Sequence, residues 1–325
     1  MKAIQVDGEH LVWRNTPRPE IGTNDVLVRN YATAINRADL MQRAGLYPPP
    51  PGASDIMGLE CAGVIEAAGS NVKEWKKGDR VCALLAGGGY AQYSAVPQGQ
   101  LLPIPGALNF EQATALPEVF ATAYLNIYIE AAAQPGERVL LHAGASGVGT
   151  AAIQLCSVFS NPCMVTVGGA DKIEYCQSLG ASAGFDRRAD DSFVTSVKEW
   201  AGDTGVDVIL DPVGASYLAD NQQCLAVDGR IVVIGLMGGL STELNLGAML
   251  IKRQRIIGST LRSRSLLAKA ELISTLREHV WPQFSDGTLK PVIEKILPIE
   301  EMEQAHALVG SNKTIGKVVL SISQD

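Results

Sequence analysis

Hydrophobic and polar positions change rhythm twice along the chain. The first third carries short β-prone runs, "VLVRNYATAIN", "CAGVIEAAG", "DRVCALLAGGGYAQYSAV" and "LLPIP", punctuated by Gly, Pro and Asn. From about Ala113 the pattern turns helical: "EQATALPEVFATAYLNIYIEAA" is Ala-rich, and Pro117 marks a break or a helix start. Strands and helices then alternate. The apolar run "RVLLHAG" precedes the helically spaced "ASGVGTAAIQLCSVF", the strand "PCMVTVGG" precedes the helix "ADKIEYCQSLGA", and "GVDVILDPVG", "GRIVVIGLMGG" and "RIIGSTL" supply further strands. Val/Ile-rich strands separated by helices predict a doubly wound parallel sheet. The stretch "GTLKPVIEKILPIEEMEQAHALVGSNKTIGKVVLSI" returns to mixed β and helix. A discontinuous β-rich domain enclosing an inserted nucleotide-binding domain is therefore expected.

Composition narrows the function classes. The 325 residues are 46% hydrophobic and 19% charged, enough to bury a sizeable core. A net charge of −7 gives no electrostatic footprint for nucleic acid or anionic lipid. The longest near-unbroken apolar run, "IVVIGLMGGL", is too short to span a bilayer, and "MKAIQVDGEHLVW" has no leader pattern, so a soluble, cytoplasmic protein is expected. Six cysteines without a C-x-x-C pair read as reduced core thiols, and four histidines without ligand spacing give zinc little to bind.

The most informative local motif is "LLHAGASGVGTAAIQL". It places Gly144, Ser146 and Gly149 directly after an apolar strand and before a helix, with Gly147 and Val148 between. A dinucleotide fold needs this: a tight turn, close approach of backbone to pyrophosphate, and helix N–H groups facing the anion. Ser146 is small, and its hydroxyl can donate to a phosphate or cap the helix. Val148 where a nucleophile elbow requires glycine argues against a serine hydrolase. The second strand ends in Gly168-Gly169 rather than in an acidic residue, leaving room for a 2′-phosphate beside Lys172, Arg187 or Arg188. Asp171 lies near the usual acidic spacing, but it also suits a helix start. NADPH is favoured over NADH.

The segments "NRADLMQRAGLYPPPPGAS", "GLECAG", "GYAQYSAVP", "HAGASGVGTAAIQL", "AVDGRIVVIGLMGG", "LRSR" and "NKTIGKVVL" resemble the zinc-free quinone oxidoreductase branch of the medium-chain dehydrogenase/reductase superfamily. They keep their order over essentially the whole length. The resemblance implies an α/β protein: a GroES-like β-rich catalytic domain over residues 1–120 and 263–325, and a Rossmann dinucleotide-binding domain over residues 121–262. It also implies hydride transfer from NADPH to a quinone, and a homodimer formed through the nucleotide domain's sheet edge. Two alternatives stay open: an NADPH-dependent enoyl or alkenal reductase, and a cofactor-binding structural or RNA-interacting protein.

Metal-dependent relatives carry a Cys, a Gly-His-Glu and a second Cys where this chain has Asn36, Gly58-Leu59-Glu60 and Glu118. Asp39, Glu60 and Glu118 are hard ligands without imidazole or thiolate, a poor set for Zn²⁺. Their expected role is hydrogen bonding to backbone or to cations such as Arg37. Without a Lewis acid, an easily reduced quinone or activated enone suits the site better than an alcohol. The resemblance places Asn36 and Tyr47 beside the nicotinamide. It likewise puts Thr122, Gly235, Leu236, Met237, Leu261 and Asn312 near the cofactor. Asn36 equally suits a backbone turn, Tyr47 can pack on the four prolines that follow, and Asp39 is expected to order its own turn. Arg262 and Arg264 could reach substrate or cofactor, or be solvated or at a dimer edge; Tyr217 is read as core.

Overall fold

The computed structural model describes residues 1–189 and 192–323. The chain divides into two units, one formed by Met1–Ala121 with Leu261–Asp325 and the other by Thr122–Thr260.

The first unit is β-rich. β1 (Lys2–Asp7) and β2 (His10–Asn15) form a hairpin in which Asp7 faces His10 across Gly8-Glu9. Gly8 has φ +61°, the left-handed conformation that a two-residue hairpin turn demands. The "VDGEHLV" turn is legible in the sequence, yet polar residues on both strands hide their alternation. The larger sheet contains β3 (Asp25–Ala34), β4 (Glu60–Ala68), β5 (Arg80–Leu84), β6 (Tyr93–Pro97), β7 (Leu101–Pro103), β14 (Ile293–Pro298) and β15 (Lys317–Ser321). Its order is β14-β15-β3-β4-β5-β7, with β6 also paired to β3. β3 is the centre of this unit, bonding β4, β6 and β15 antiparallel. Its Val26, Val28, Cys61 of β4 and Val81 of β5 bury together on one face. After β3 the chain enters α1 (Arg37–Arg43), and α11 (Met302–Gly310) leads back to β15.

The second unit is a parallel sheet of β8 (Val139–His142), β9 (Cys163–Val167), β10 (Ala183–Asp186), β11 (Val206–Asp211), β12 (Leu225–Val233) and β13 (Arg255–Gly258). Spatially the order is β10-β9-β8-β11-β12-β13, and every neighbouring pair is parallel. This is the doubly wound 3-2-1-4-5-6 order, whose switch point lies between β8 and β11. α4 (Gly147–Val158), α5 (Ala170–Ser178), α6 (Phe193–Ala201) and α7 (Leu218–Cys224) make the first four connections. Leu140, Met164, Ile209 and Ile231 are buried in one cluster with Phe185 and Phe193, which explains the continuous apolar strands.

Pro117 begins the helix α3 (Pro117–Tyr124), where its missing N–H costs nothing. The next turn, Leu125–Glu130, widens to π spacing, with Ala131 N–H bonded to Asn126 C=O. The buried Asn126 amide donates to the Thr122 carbonyl at 2.7 Å, satisfying a group that the widened ladder displaces.

In the parallel unit Arg230 grips Glu137 through two hydrogen bonds of 2.8 and 2.7 Å and donates to the Ala131 carbonyl. Arg230 is buried, so its removal strands a carboxylate and a carbonyl. Arg230→Ala is expected to cost about 2–4 kcal/mol, read as a lowered urea midpoint at unchanged slope.

Candidate functional site

In the β-rich unit, the chain leaves β3 at Ile35 and starts α1 at Asn36, which has extended backbone (φ −117°, ψ 153°). The Asp39 carboxylate returns to Asn36 N–H at 2.8 Å and accepts Gly58 N–H at 3.1 Å. The expected turn-ordering role of Asp39 is what the structure shows. The Asn36 side chain is held separately: Nδ2 donates to Glu60 Oε1 at 2.9 Å, and Oδ1 accepts from Lys317 Nζ at 2.5 Å. Lys317 also donates to the Ile35 carbonyl at 2.9 Å and lies 2.7 Å from Glu60 Oε1. Glu60 Oε2 accepts Glu118 N–H at 3.0 Å.

The cation paired with Glu60 is thus Lys317, not Arg37. Arg37 points to the Val309 carbonyl and to Asn312 Oδ1, so the Asn312 amide oxygen is engaged by α1. Lys317 is the residue that sequence reasoning overlooked. Its signal is a lysine opening the apolar strand "KVVLSI", where the strand period puts it on a buried face.

Tyr47 is half-buried, and burial raises its hydroxyl above the ordinary tyrosine value, with Arg262 opposing and Glu118 reinforcing the shift. It therefore stands as a protonated donor at neutral pH. Arg262 is not solvated. It is buried and donates to Gln42 Oε1 at 2.7 Å, the Ala86 carbonyl at 2.8 Å and the Tyr47 carbonyl at 3.3 Å. Its guanidinium carbon lies 5.4 Å from the Tyr47 ring centroid, anchoring the loop that carries the tyrosine. Leu261 is buried in this same unit.

In the parallel unit, the turn after β8 has the contacts a phosphate cradle requires. A Cβ on Gly149 would lie 2.4 Å from the Gly144 carbonyl oxygen, and one on Gly144 would lie 2.5 Å from Val165 Cβ. Only glycine permits either approach. Ser146 caps α4, its hydroxyl accepting Gly149 N–H at 3.1 Å, with Gly147 and Val148 opening the helix. At the end of β9, Gly168 and Gly169 face arginine: a Cβ on Gly168 would sit 3.4 Å from Arg187 Nε. Arg188 is bound at both ends of its fork by Asp186, whereas Arg187 makes no ion pair among the described residues. Lys172 is buried within the first turn of α5.

Beside Arg187 lies a recess of about 330 Å³ lined by Phe185, Phe193, Ser192, Tyr217 and Asp220. Tyr217 is only partly core. It packs 4.8 Å from the His142 ring and 5.0 Å from Phe193 while also lining the recess. His142 is locked between Thr166 Oγ1 and Asn221 Oδ1, and Asn221 donates to Asp211. After β12, Gly235, Leu236 and Met237 form a loop on the strand-end edge of the sheet, with Met237 N–H on the Pro212 carbonyl. Thr122 is buried at the start of the unit.

Comparison with known proteins accounts for both units. Residues 22–106 match the alcohol dehydrogenase GroES-like domain family, and residues 147–276 match the zinc-binding dehydrogenase family. Rattus norvegicus quinone oxidoreductase is 31% identical over 306 residues, covering 94% of this chain and 90% of that one. The chain belongs to the medium-chain dehydrogenase/reductase superfamily. The synaptic vesicle membrane protein VAT-1 homolog of Rattus norvegicus is 32% identical, over 93% of this chain and 78% of its own. Escherichia coli quinone oxidoreductase, solved in complex with NADPH, superposes with a TM-score of 0.87 at 28% identity, covering 98% of each chain. This superfamily member is an oxidoreductase by descent.

The zinc implied by one family description does not fit these residues. Both Glu60 oxygens and both Asp39 oxygens are committed, and the neighbouring Cys61 is a buried thiol pushed up to about 12 by desolvation. Among the described residues no three His, Cys, Asp or Glu side chains gather as a ligand set. No helix among them is long and apolar enough to cross a membrane.

Burial lifts the Asp39 carboxyl from its ordinary 3.8 to about 6, against the lowering effects of Asn36, Tyr90, Gly58 and Lys317. A carboxyl with a raised folded value stabilises the fold when protonated. That contribution is complete below about pH 4 and disappears as pH rises through about 6. Urea unfolding of the wild type and of Asp39→Asn between these limits should therefore show the wild type losing about 2 kcal/mol relative to the variant as pH increases.

Proposed function

We propose that the protein is a zinc-independent, NADPH-dependent quinone reductase. The observation that carries this reading is the polar centre at Asn36, Glu60 and Lys317, where an internal ion pair fills the place that the metal-dependent pattern gives to ligands. Such a centre offers hydrogen-bond donors and no Lewis acid. Reducing a quinone needs little more, because aromatisation to the hydroquinone drives the addition.

Bound NADPH supplies the hydride. In this reading Gly144 to Gly149 cradle the pyrophosphate at the start of α4, and the aromatic recess at Tyr217 receives the adenine. Arg187 meets the ribose 2′-phosphate in the space that Gly168 and Gly169 leave open. Asn36 donates its remaining amide N–H to the substrate oxygen as that oxygen becomes negative. The Tyr47 hydroxyl donates a second hydrogen bond and then its proton, which solvent restores. Thr122 and the Gly235–Met237 segment complete the cofactor surroundings within the parallel unit.

Two copies associate through β13. It is the last strand of its sheet, and α8 (Leu246–Lys252), which leads into it, exposes Leu250 at 79% and Ile251 at 77%. Ile251→Glu should shift the mass measured by light scattering from two chains to one. A wild type that is already a monomer at working concentration would refute the association.

Purified protein should oxidise NADPH with a para-quinone at a rate that a zinc chelator does not change; loss of activity on chelation would refute the zinc-independent reading. Arg187→Ala should raise KM for NADPH about tenfold or more, the equivalent of one charge-assisted hydrogen bond, and leave KM for NADH nearly unchanged. Faster turnover of a 2-alkenal than of the quinone would move the assignment to alkenal reduction.

A further inference from the structure

The Asn36 amide is held in one of its two orientations by charge. Its oxygen faces the Lys317 ammonium and its nitrogen faces the Glu60 carboxylate, at 2.5 and 2.9 Å. Turning the amide over would set NH₂ against ammonium and carbonyl against carboxylate, so electrostatics alone decides the assignment. The three side chains close a ring, because Lys317 also reaches the same Glu60 oxygen at 2.7 Å. Lys317 spends all three hydrogens, on Ile35, Asn36 and Glu60, and Asn36 spends one of its two N–H groups. One amide hydrogen of Asn36 is left over.

We propose that Lys317 is a positioning residue for reduction: with Glu60 it fixes and polarises the Asn36 amide so that its remaining N–H is aimed at, and strengthened for, the substrate oxygen. An ammonium on the amide oxygen draws electron density from the nitrogen, which makes the free N–H a better donor. The ring costs nothing in reorganisation at the moment of reaction, since its members are already buried and bonded. The backbone prepares it. Gly316 has φ +76°, and a Cβ there would lie 2.4 Å from the Val292 carbonyl. Lys317 N–H bonds that same carbonyl, so the strand start and its ammonium are placed together. Ile35 N–H on the Val318 carbonyl extends the β15 and β3 contact to the residue before Asn36.

This inference rests on the quinone reductase reading for its chemistry but not for its geometry, and the experiment separates the two. Lys317→Met alone strands Glu60, so the Glu60→Gln/Lys317→Met pair is made as well to keep the site neutral. Both should lower kcat with quinone roughly tenfold to a hundredfold while the Kd for NADPH stays unchanged. In an Asn36→Ala background, Lys317→Met should add no further loss of kcat. Independently of turnover, the side-chain ¹H–¹⁵N amide signals of Asn36 should be widely split in the wild type and move together in either Lys317 variant. Losses that multiply across Asn36→Ala and Lys317→Met, or an Asn36 amide signal that Lys317→Met leaves in place, would overturn the proposal. A wild type that reduces no quinone while the amide signal responds would defeat the functional reading and leave the positioning role standing.

Discussion

Glu60 and Lys317 are both out of water, and their neutralisation of each other is the constraint on which the β-rich unit's polar centre depends. Desolvating either ion alone costs several kcal/mol, and their attraction compensates only if the remaining hydrogen-bonding capacity is used. Here it is. The ammonium has three acceptors, and the carboxylate takes the ammonium, the Asn36 amide and the Glu118 backbone. Those partners come from the end of β3 and the starts of β15, β4 and α3. One ion pair therefore fixes the relative positions of four elements, and Thr33 Oγ1 on the Glu60 carbonyl tightens β3 against β4 at the same place.

The parallel unit solves a different problem, close approach. Its strand order opens a crevice where connections leave β8 and β11 in opposite directions. Glycines at 144 and 149 bring the first turn against β9 and against itself. Arg187 then matters by subtraction. Arg188 is occupied by Asp186 and Lys172 is buried in its helix, so among the described residues the guanidinium next to Gly168 is the cation without an ion pair. Sequence spacing offered all three equally, because it records which cations are near a strand end and not which are already paired.

That contrast shows what was legible and why. The alternation of Val/Ile-rich strands with helices is a local signal, and it located the parallel sheet, its glycine turn and the helix start at Pro117. The β1–β2 hairpin escaped because its strands alternate weakly, although Asp-Gly marks its turn. Asp39 could be read because its partners are three residues away and across one loop. Lys317 could not: it is 281 residues from Asn36 in sequence, and its charge sits in a motif otherwise read as an apolar strand. The partners of Arg262 were hidden for the same reason, since the Gln42, Tyr47 and Ala86 acceptors that bury it are more than 170 residues upstream.

The ion pair also bears on the kind of chemistry this centre can perform. A metal acts directly on a substrate oxygen as a Lewis acid and can stabilise an alkoxide at neutral pH. An ammonium locked among three acceptors cannot reach a substrate oxygen. Its influence passes through the amide it holds, as a sharper hydrogen bond. That influence is weaker than a metal bond, which is why the proposed reaction is one whose substrate accepts hydride with little help. Replacing ligands by Asn36 and Leu59 while retaining Glu60 leaves a carboxylate that must be paired, and Lys317 pairs it. In the proposed reading, the same charge that makes the fold tolerate Glu60 favours easily reduced acceptors.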